Sequence, residues 1–220
     1  MQIIECEQGS DEWHRARMGI PTASEFKTLI GVKKDARDKV TRRKYMMRLA
    51  GEIITGEPEP TYSNGHMERG QEMEAEARDF YSFMTNTEAI RVGFIRNRNA
   101  GCSPDSLIRT NGALEIKTAL PSVVGEAILK GEFPPEHKPQ CQGVLLVAER
   151  EWIDLLVYWP KMPPFLVRAN RDEKYIAELS AAIAQFNDEL AEVVNRLKSW
   201  GGKDDTTLRQ LRASVEALPA

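Results

Sequence analysis

The chain has 220 residues, of which 41% are hydrophobic and 29% charged, a balance typical of a folded globular protein rather than a disordered one. A chain of this length can bury a sizeable core without disulfides or structural metals. The net charge of −3 argues weakly against a general coat for nucleic acid. No stretch approaches the roughly 18 apolar residues of a membrane span, and the first residues do not resemble a signal peptide, so we expect a cytoplasmic protein with no membrane partner.

The three cysteines, Cys6, Cys102 and Cys141, stand far apart and form no CxxC pair. This spacing argues against a zinc or iron–sulfur site and against a disulfide framework. We therefore expect reduced thiols that pack as small apolar side chains.

Charge is distributed unevenly along the first third of the chain. Residues 33–48 hold eight Lys and Arg against two Asp, whereas residues 68–76 are acidic. A basic surface for phosphates beside an acidic pocket for cations is what a nuclease needs. Two solvated helix faces explain the same pattern equally well, so charge alone does not decide between them.

The first elements in chain order are predicted to be helices. Thr22 and Glu25 have the spacing of an N-terminal capping box, which predicts a short helix from about Ala23. Periodic apolar residues predict a basic amphipathic helix over residues 41–55 and another helix over residues 67–84.

From residue 89 the pattern changes to strands, predicted over residues 89–96, 106–110 and 114–119. The Asn111-Gly112 pair predicts a hairpin turn between the last two strands. Asp105 and Glu115 are therefore expected on adjacent antiparallel strands.

The second half of the chain is predicted to form a helix over residues 138–150, strands over 152–159 and 164–169, and a long helix over 172–200. The long helix has an apolar seam with a spacing of three and four residues: Ile176, Leu179, Ile183, Phe186, Leu190, Val193 and Leu197. Packing of this seam within the chain is favoured over self-association. We expect one domain over residues 1–200 and a loosely held tail over 201–220.

The strongest sign of chemistry is Pro104-Asp105, followed after nine residues by Glu115-Ile116-Lys117. Two carboxylates on neighbouring strands suit Mg²⁺ or Mn²⁺, and the Ile116 carbonyl offers a further ligand. Glu115 and Lys117 share one strand face, so the Lys117 ammonium can orient or help deprotonate an attacking water. Each half of the pattern is common by itself, and the pair across a hairpin is moderately specific.

Glu74 strengthens this interpretation. On a helix it lies on one face with small and aromatic residues, namely Gly70, Ala77 and Tyr81. Glu72 and Glu76 project to the opposite side, where we expect them to be solvated. Because an unpaired buried charge is costly, a carboxylate on the inner face suits a metal site better than packing.

A second cluster lies near the N-terminus, where Trp13, His14 and Arg17 precede Thr22 and Ser24. The start of the helix near residue 23 presents free backbone N–H groups to an anion. A serine hydroxyl and an arginine fork complete a possible phosphate pocket. A capped helix beside a surface arginine explains the same residues, and from them alone it is the favoured interpretation.

Other chemistries lack their motifs. The histidines, His14, His66 and His137, show no metal-ligand spacing, which argues against an HNH-type nuclease. No Walker-type phosphate loop and no GxSxG sequence occurs, which argues against ATP-driven activity and acyl transfer.

The resemblance to a known family is carried by four strings: EQGSDEWHRARMGIPTASEF, RGQEMEAEARDFY, CSPDSL and LEIK. Together they resemble the lambda exonuclease family, or YqaJ-type viral recombinases, within the PD-(D/E)xK nuclease superfamily. The similarity is collinear from about residue 7 to residue 180. The N-terminal string is more specific than the PD and ExK residues, which many unrelated nucleases share.

This resemblance implies an α/β fold with a PD-(D/E)xK restriction-endonuclease-like core, in which helices flank a central mixed β-sheet, here followed by a long C-terminal helix. It implies a Mg²⁺-dependent exonuclease that digests linear double-stranded DNA from 5′ to 3′, releases mononucleotides and leaves a 3′ single strand for recombination. It also implies a ring-shaped homotrimer, a single-strand annealing protein as partner, and a phage or prophage origin.

The resemblance also implies roles for particular residues. Asp105, Glu115 and Glu74 form the acidic metal site, and Lys117 is the catalytic lysine. The 5′-terminal phosphate is held by three residues, Arg17, Ser24 and Ser103. Gln142 matches a family glutamine on the helix after the core, with Gln140 as a near competitor.

The sequence departs from the family pattern at residues 31–60 and beyond about residue 197, which makes the trimer less secure than the chemistry. Two alternatives stay open. One is a PD-(D/E)xK nuclease of another polarity, although the iron–sulfur kind needs four cysteines. The other is a non-catalytic protein that binds DNA ends, although such a protein has no need for four costly charges in one place.

Overall fold

The structure is a computed structural model that describes residues 1–30, 36–60 and 65–200. In these residues the strands are β1 (Gln2–Ile4), β2 (Ala89–Ile90), β3 (Phe94–Asn97), β4 (Ala100–Cys102), β5 (Ser106–Ile108), β6 (Gly112–Thr118), β7 (Trp152–Tyr158) and β8 (Phe165–Asn170). The α-helices are α1 (Asp11–Ala16), α2 (Ala36–Thr55), α3 (Gly65–Thr85), α4 (Pro121–Lys130), α5 (Lys138–Val147) and α6 (Glu173–Trp200). Two short 3₁₀ helices cover Ala23–Thr28 and Pro135–His137.

The main sheet has five strands in the order β2-β5-β6-β7-β8. Only β6 and β7 run parallel, and the chain between them passes through α4 and α5, as a parallel connection requires. A second, antiparallel sheet has the order β1-β3-β4. The predicted α/β fold with a mixed sheet, flanking helices and a long C-terminal helix is confirmed.

Side chains of β6 alternate between two different surroundings. Leu114 and Ile116 pack with Ala77 and Tyr81 of α3. Glu115 is paired in register with Leu155 of β7, whose side chain packs with α4 on the opposite face. Because side chains alternate along a strand, Lys117 lies on the same face as Glu115.

The seam of α6 packs within the chain, against α2 and α5. Ile176, Leu179, Ile183, Phe186 and Leu190 are buried as predicted. At the end of the seam Val194 is buried in place of Val193, and Leu197 is 41% exposed. The predicted tail over residues 201–220 lies outside the described residues.

The hairpin between β5 and β6 forms, but its turn differs from the prediction. Ile108 pairs with Gly112, so the connection is Arg109-Thr110-Asn111, and Arg109 takes the left-handed φ of 49°. Gly112 is the first residue of β6, where an added Cβ would stand 2.3 Å from the Trp152 ring. This glycine is therefore needed for packing and not for the turn.

The predicted strand over residues 89–96 is two strands that belong to different sheets, β2 and β3. The chain breaks between them at Gly93, where a Cβ would stand 2.5 Å from the backbone oxygen of Cys6. The N-terminal segment therefore passes against the backbone of Gly93, a contact that local sequence does not reveal.

The predicted capping box at Thr22 does not form. Thr22 precedes the 3₁₀ helix without a side-chain cap, and its hydroxyl instead accepts a hydrogen bond from Arg17 at 3.3 Å. The helices predicted over 41–55 and 67–84 are present with wider bounds, whereas β1, β4, α1 and α4 were not predicted. No helix in the described ranges is long and apolar enough to cross a membrane.

A buried ionic network fixes α3 to the main sheet. Asp154 of β7 is 2% exposed and accepts a hydrogen bond from the Tyr81 hydroxyl at 2.8 Å. Arg168 of β8 donates two hydrogen bonds to the same carboxylate, at 2.7 and 2.9 Å, and its guanidinium lies 3.6 Å from the centre of the Trp152 ring. Tyr81 lies two turns beyond Glu74, so this network also fixes the helix that carries Glu74.

We expect Asp154→Ala to lower the free energy of unfolding by roughly 3 kcal/mol, because it removes charge-assisted bonds and leaves the buried Tyr81 hydroxyl without its acceptor. Urea denaturation followed by circular dichroism measures this loss. Asp79→Ala changes an exposed residue of α3, the helix that carries Tyr81. It is the matched control and should change stability by less than about 0.5 kcal/mol. Equal stability of the two variants would contradict the role of the network.

Candidate active site

Asp105 and Glu115 meet at the junction of β5 and β6. Asp105 directly precedes β5, and its Oδ2 accepts a hydrogen bond from the backbone N–H of Ile116. Glu115 lies within β6 and is 3% exposed. Pairing of β5 with β6 therefore brings the Asp105 carboxylate against the part of β6 that carries Glu115.

Glu115 is held by two donors on its own side of the sheet. Its Oε1 accepts a hydrogen bond from the Lys117 ammonium at 2.7 Å and another from the Gln140 amide of α5. Its Oε2 is buried and has no hydrogen-bond partner among the described residues. A buried carboxylate oxygen without a partner is costly, and a cation is the partner that it most favours.

The electrostatics of the site reflect crowded negative charge. The pKa of Asp105 is raised well above its usual range, first by burial and then by the charges of Glu115 and Glu74. Burial lowers the pKa of Lys117, but the charge and hydrogen bond of Glu115 outweigh it, so the pKa lies above its usual value. Lys117 is therefore an ammonium at neutral pH, and it donates hydrogen bonds rather than accepting protons.

Glu74 approaches this pair from α3, on the helix face that also buries Ala77 and Tyr81. Its carboxylate forms an ion pair with Arg78, one turn further along the helix. The sequence interpretation, in which nothing but a metal accounted for Glu74, missed this partner. On the opposite side, Glu76 is exposed, as predicted, and accepts a hydrogen bond from the Tyr158 hydroxyl at 2.7 Å.

In the part of the chain that the structure describes, no three His, Cys, Asp or Glu side chains form a preformed metal cluster. Each carboxylate of the site instead has a protein partner: Arg78 for Glu74, the Ile116 N–H for Asp105, and Lys117 with Gln140 for Glu115. The residues still fit a hard divalent cation, because the donors are carboxylate oxygens and Glu115 Oε2 has no other partner.

The sequence placed Gln142 at the site with Gln140 as a near competitor, and the structure reverses that choice. Gln140 reaches Glu115, whereas Gln142 is 3% exposed and turns away from the site. The Gln142 side chain donates to the carbonyl of Asn170 and accepts from the N–H of Asp172, both at 2.9 Å. Gln142 therefore fixes the connection between β8 and α6, and the site glutamine is Gln140.

The three residues expected to hold a phosphate are connected through Trp13 and Thr22. Trp13 donates its indole N–H to the Ser103 hydroxyl at 2.7 Å, and the Arg17 guanidinium lies 3.9 Å from the centre of its ring. Arg17 also bonds to Thr22, whose hydroxyl is 3.4 Å from that of Ser24. Burial lowers the pKa of Arg17, a sign that its guanidinium is partly removed from water.

The backbone brings this N-terminal cluster close to the catalytic strands. Thr22 forms a parallel bridge with Gly101, next to the loop that carries Ser103. Gln8 donates its side-chain amide to the carbonyl of Pro104 at 3.0 Å, so the residue before Asp105 is held as well. Sequence reasoning assigned Trp13 no role of its own and missed Gln8, although the string around Trp13 was the most specific part of the resemblance.

The fold and the PD and ExK residues together define a PD-(D/E)xK-type core. A model of the YqaJ-like viral recombinase domain matches residues 12–151, and the chain belongs to this family. No curated protein matches the chain.

Solved structures agree with this assignment. The alkaline exonuclease LHK-Exo from Laribacter hongkongensis is 32% identical in its complex with dAMP, with a TM-score of 0.79, and the similarity covers 88% of this chain and 99% of that one. A phage-related exonuclease from Haemophilus somnus 129PT is 14% identical with a TM-score of 0.62, covering 81% and 96% of the two chains, and shares the fold.

We expect Gln142→Ala to lower the free energy of unfolding by about 2 kcal/mol, because it removes two hydrogen bonds made by a buried side chain, each contributing about 1 kcal/mol. Gln140→Ala, two residues away on the same helix, is the matched variant and should cost less than about 1 kcal/mol, since Glu115 keeps Lys117 as donor. Chemical denaturation of both variants measures the difference. The reverse order would contradict the separation of the two roles.

Proposed function

We propose that this protein is a nuclease of the lambda exonuclease type that digests linear double-stranded DNA from the 5′ end with Mg²⁺, or with Mn²⁺ in its place. The observation that carries the proposal is the meeting of Asp105, Glu115 and Lys117 on one pair of strands, with Glu74 approaching from α3. Family membership and the 32% identity to an alkaline exonuclease support it. The catalytic unit is a single domain over residues 1–200.

The carboxylates of Asp105, Glu115 and Glu74 would hold the cation, and the Ile116 carbonyl would offer a further oxygen. Hard oxygen donors select Mg²⁺ or Mn²⁺ over softer metals. When bound, the cation polarises the scissile phosphate and lowers the pKa of an attacking water. Burial, and then the charges of Glu115 and Glu74, raise the pKa of Asp105, so a divalent charge at this place would favour its ionised form.

Lys117 and Gln140 act on the reacting groups from the Glu115 side. The Lys117 ammonium donates hydrogen bonds, so it orients the attacking water and stabilises negative charge that develops on the phosphate. The Gln140 amide shares the Glu115 oxygen with Lys117 and keeps both groups aligned. Because the Lys117 ammonium lies 2.7 Å from Oε1 of Glu115, it acts directly beside the proposed metal ligand.

The polarity follows from the N-terminal cluster. Arg17, Ser24 and Ser103 hold the 5′-terminal phosphate, and Ser103 is two residues from Asp105 in sequence. A phosphate anchored there sets the scissile bond of the first nucleotide at the metal site, which releases mononucleotides and leaves a 3′ strand. The dAMP bound to LHK-Exo, a mononucleotide, supports this product.

The biological setting follows from the family, whose description is a viral recombinase. The protein is encoded by a phage or prophage and acts in the host cytoplasm. It assembles as a homotrimeric ring and passes its 3′ strand to a single-strand annealing protein. The apolar seam of α6 packs within the chain, so it is not the surface that assembles the ring.

The function is tested by Mg²⁺-dependent digestion of one duplex in three forms: linear with 5′-phosphate, linear with 5′-hydroxyl, and covalently closed circular. We expect fast loss of the phosphorylated linear form, slower loss of the hydroxyl form and a surviving circle. Cutting of the circle would identify an endonuclease of the same fold. Retention of linear DNA without cleavage would identify a DNA-end-binding protein instead.

Lys117→Ala should abolish digestion of the phosphorylated duplex while DNA binding stays within about threefold of wild type, because the ammonium acts on the reaction and not on the duplex as a whole. Single-turnover cleavage and a gel-shift assay measure the two properties. Lys130→Ala, which removes an exposed lysine of α4, is the matched control and should digest normally. Equal cleavage by the Lys117 variant and wild type would refute the mechanism.

Arg17→Ala should slow digestion about tenfold or more on 5′-phosphorylated ends and little on 5′-hydroxyl ends, because a charge-assisted contact contributes roughly 1.5–3 kcal/mol. The ratio of the two rates is the measurement. Arg15→Ala, at an exposed position of the same helix α1, should keep the wild-type ratio. An unchanged ratio in the Arg17 variant would exclude this residue from the phosphate pocket.

A further inference from the structure

Arg78 of α3 is a buried cation to which neither the sequence pattern nor the mechanism above assigns a role. The residue is 8% exposed, directly follows the fully buried Ala77, and pairs with the site carboxylate Glu74 one turn earlier on the helix. Burying a guanidinium this deeply is costly unless its buried N–H groups donate to hydrogen-bond acceptors. Its acceptors therefore indicate why the chain holds a charge there.

Arg78 contacts Glu74 directly and the backbone of Asp105 through Ser106, and both of these acids are proposed metal ligands. One terminal nitrogen forms the ion pair with Oε1 of Glu74. The Nε atom donates to the hydroxyl of Ser106 at 3.0 Å, and that hydroxyl donates to the carbonyl of Asp105 at 2.6 Å. Ser106 is fully buried, so this chain of contacts is shielded from water.

The geometry points to Arg78 as a positioning residue that sets Glu74 and the Asp105 backbone for binding of the divalent cation. This inference rests on the proposed metal-dependent function. The planar fork of arginine suits the task, because it bonds in two directions at a fixed angle. Glu74 comes from a helix and Asp105 from the start of a strand, and Arg78 links the two locally, whereas the Tyr81–Asp154 hydrogen bond holds α3 two turns away.

The arrangement differs from that of a counter-ion placed only for stability. The ion pair of Arg42 with Glu189 is of that second kind, because it joins α2 to α6 and contacts no site residue. Arg78 instead touches one proposed ligand directly and the backbone of another through a single hydroxyl. Groups that orient metal ligands in this way typically change metal affinity by 10–100-fold when they are removed.

The test is Mn²⁺ affinity measured by isothermal titration calorimetry on the full chain without DNA. We expect Arg78→Gln to bind Mn²⁺ roughly tenfold more weakly than wild type. Arg78→Lys keeps the charge but not the fork, and it should recover only part of the affinity. Ser106→Ala keeps the Glu74 ion pair and removes the link to Asp105, so it should also weaken binding. In cleavage assays, the Mg²⁺ concentration for half-maximal rate should rise by the same factor.

Arg42→Gln is the matched control, since it breaks an ion pair between α2 and α6 that contacts no residue of the site. It should lower the temperature of unfolding and leave Mn²⁺ affinity unchanged. Arg78 variants that unfold at a lower temperature but bind Mn²⁺ as tightly as wild type, or more tightly, would overturn the inference. Should Arg78→Gln fail to fold, Arg78→Lys and Ser106→Ala decide the matter.

The same titration distinguishes the two proposals. If wild type binds Mn²⁺ and Glu115→Gln does not, the metal site stands whatever the Arg78 variants do. If wild type shows no binding that Glu115→Gln removes, the metal site fails and the role of Arg78 fails with it.

Discussion

The structure depends on the gathering of Asp105, Glu115 and Glu74 within one largely buried region. Carboxylates brought together in this way repel each other and lose their hydration, and the raised pKa of Asp105 records both costs. The chain meets these costs with fixed donors: Arg78, the Ile116 N–H, Lys117 and Gln140. One oxygen, Glu115 Oε2, is left without a partner among the described residues, and it is the atom at which the proposed cation would bind.

The fold is arranged so that these donors come from separate elements. Alternation along β6 sends Glu115 and Lys117 to the face covered by α4 and α5, while α3 packs on the other face. Asp105 lies directly before β5, and its carboxylate accepts a hydrogen bond from the Ile116 N–H of β6. It therefore contacts the strand that carries Glu115. The Asp154 network fixes α3 to the sheet, and it therefore also fixes the position of Glu74 relative to the sheet.

Local patterns allowed the sheet strands around the site, α5 and α6 to be predicted, because period-2 and 3.6-residue repeats survive burial on one face. The turn at Asn111-Gly112 was misplaced because Gly112 serves the Trp152 ring, a contact from 40 residues away. The break at Gly93 was missed for the same kind of reason, since the contacting backbone belongs to the N-terminal segment. Tertiary contacts of this kind leave no periodic signal in the sequence.

The residues of the candidate site show the same difference between local signals, which the sequence carries, and tertiary contacts, which it does not. Asp105, Glu115 and Lys117 could be selected from spacing alone, because a strand pair converts spacing directly into proximity. Arg78 also stood at a readable distance from Glu74, since i and i+4 residues meet on a helix.

Gln140 and Gln142 could not be separated, because both lie near the start of α5 and only the packing of that helix shows which one faces β6. In the observed packing of α5, Gln142 donates a hydrogen bond to the backbone of Asn170 at the end of β8, and Gln140 donates one to Glu115. A glutamine at either position is compatible with the sequence, and the distinction arises only when the helix is set against the strand whose charge it must partner.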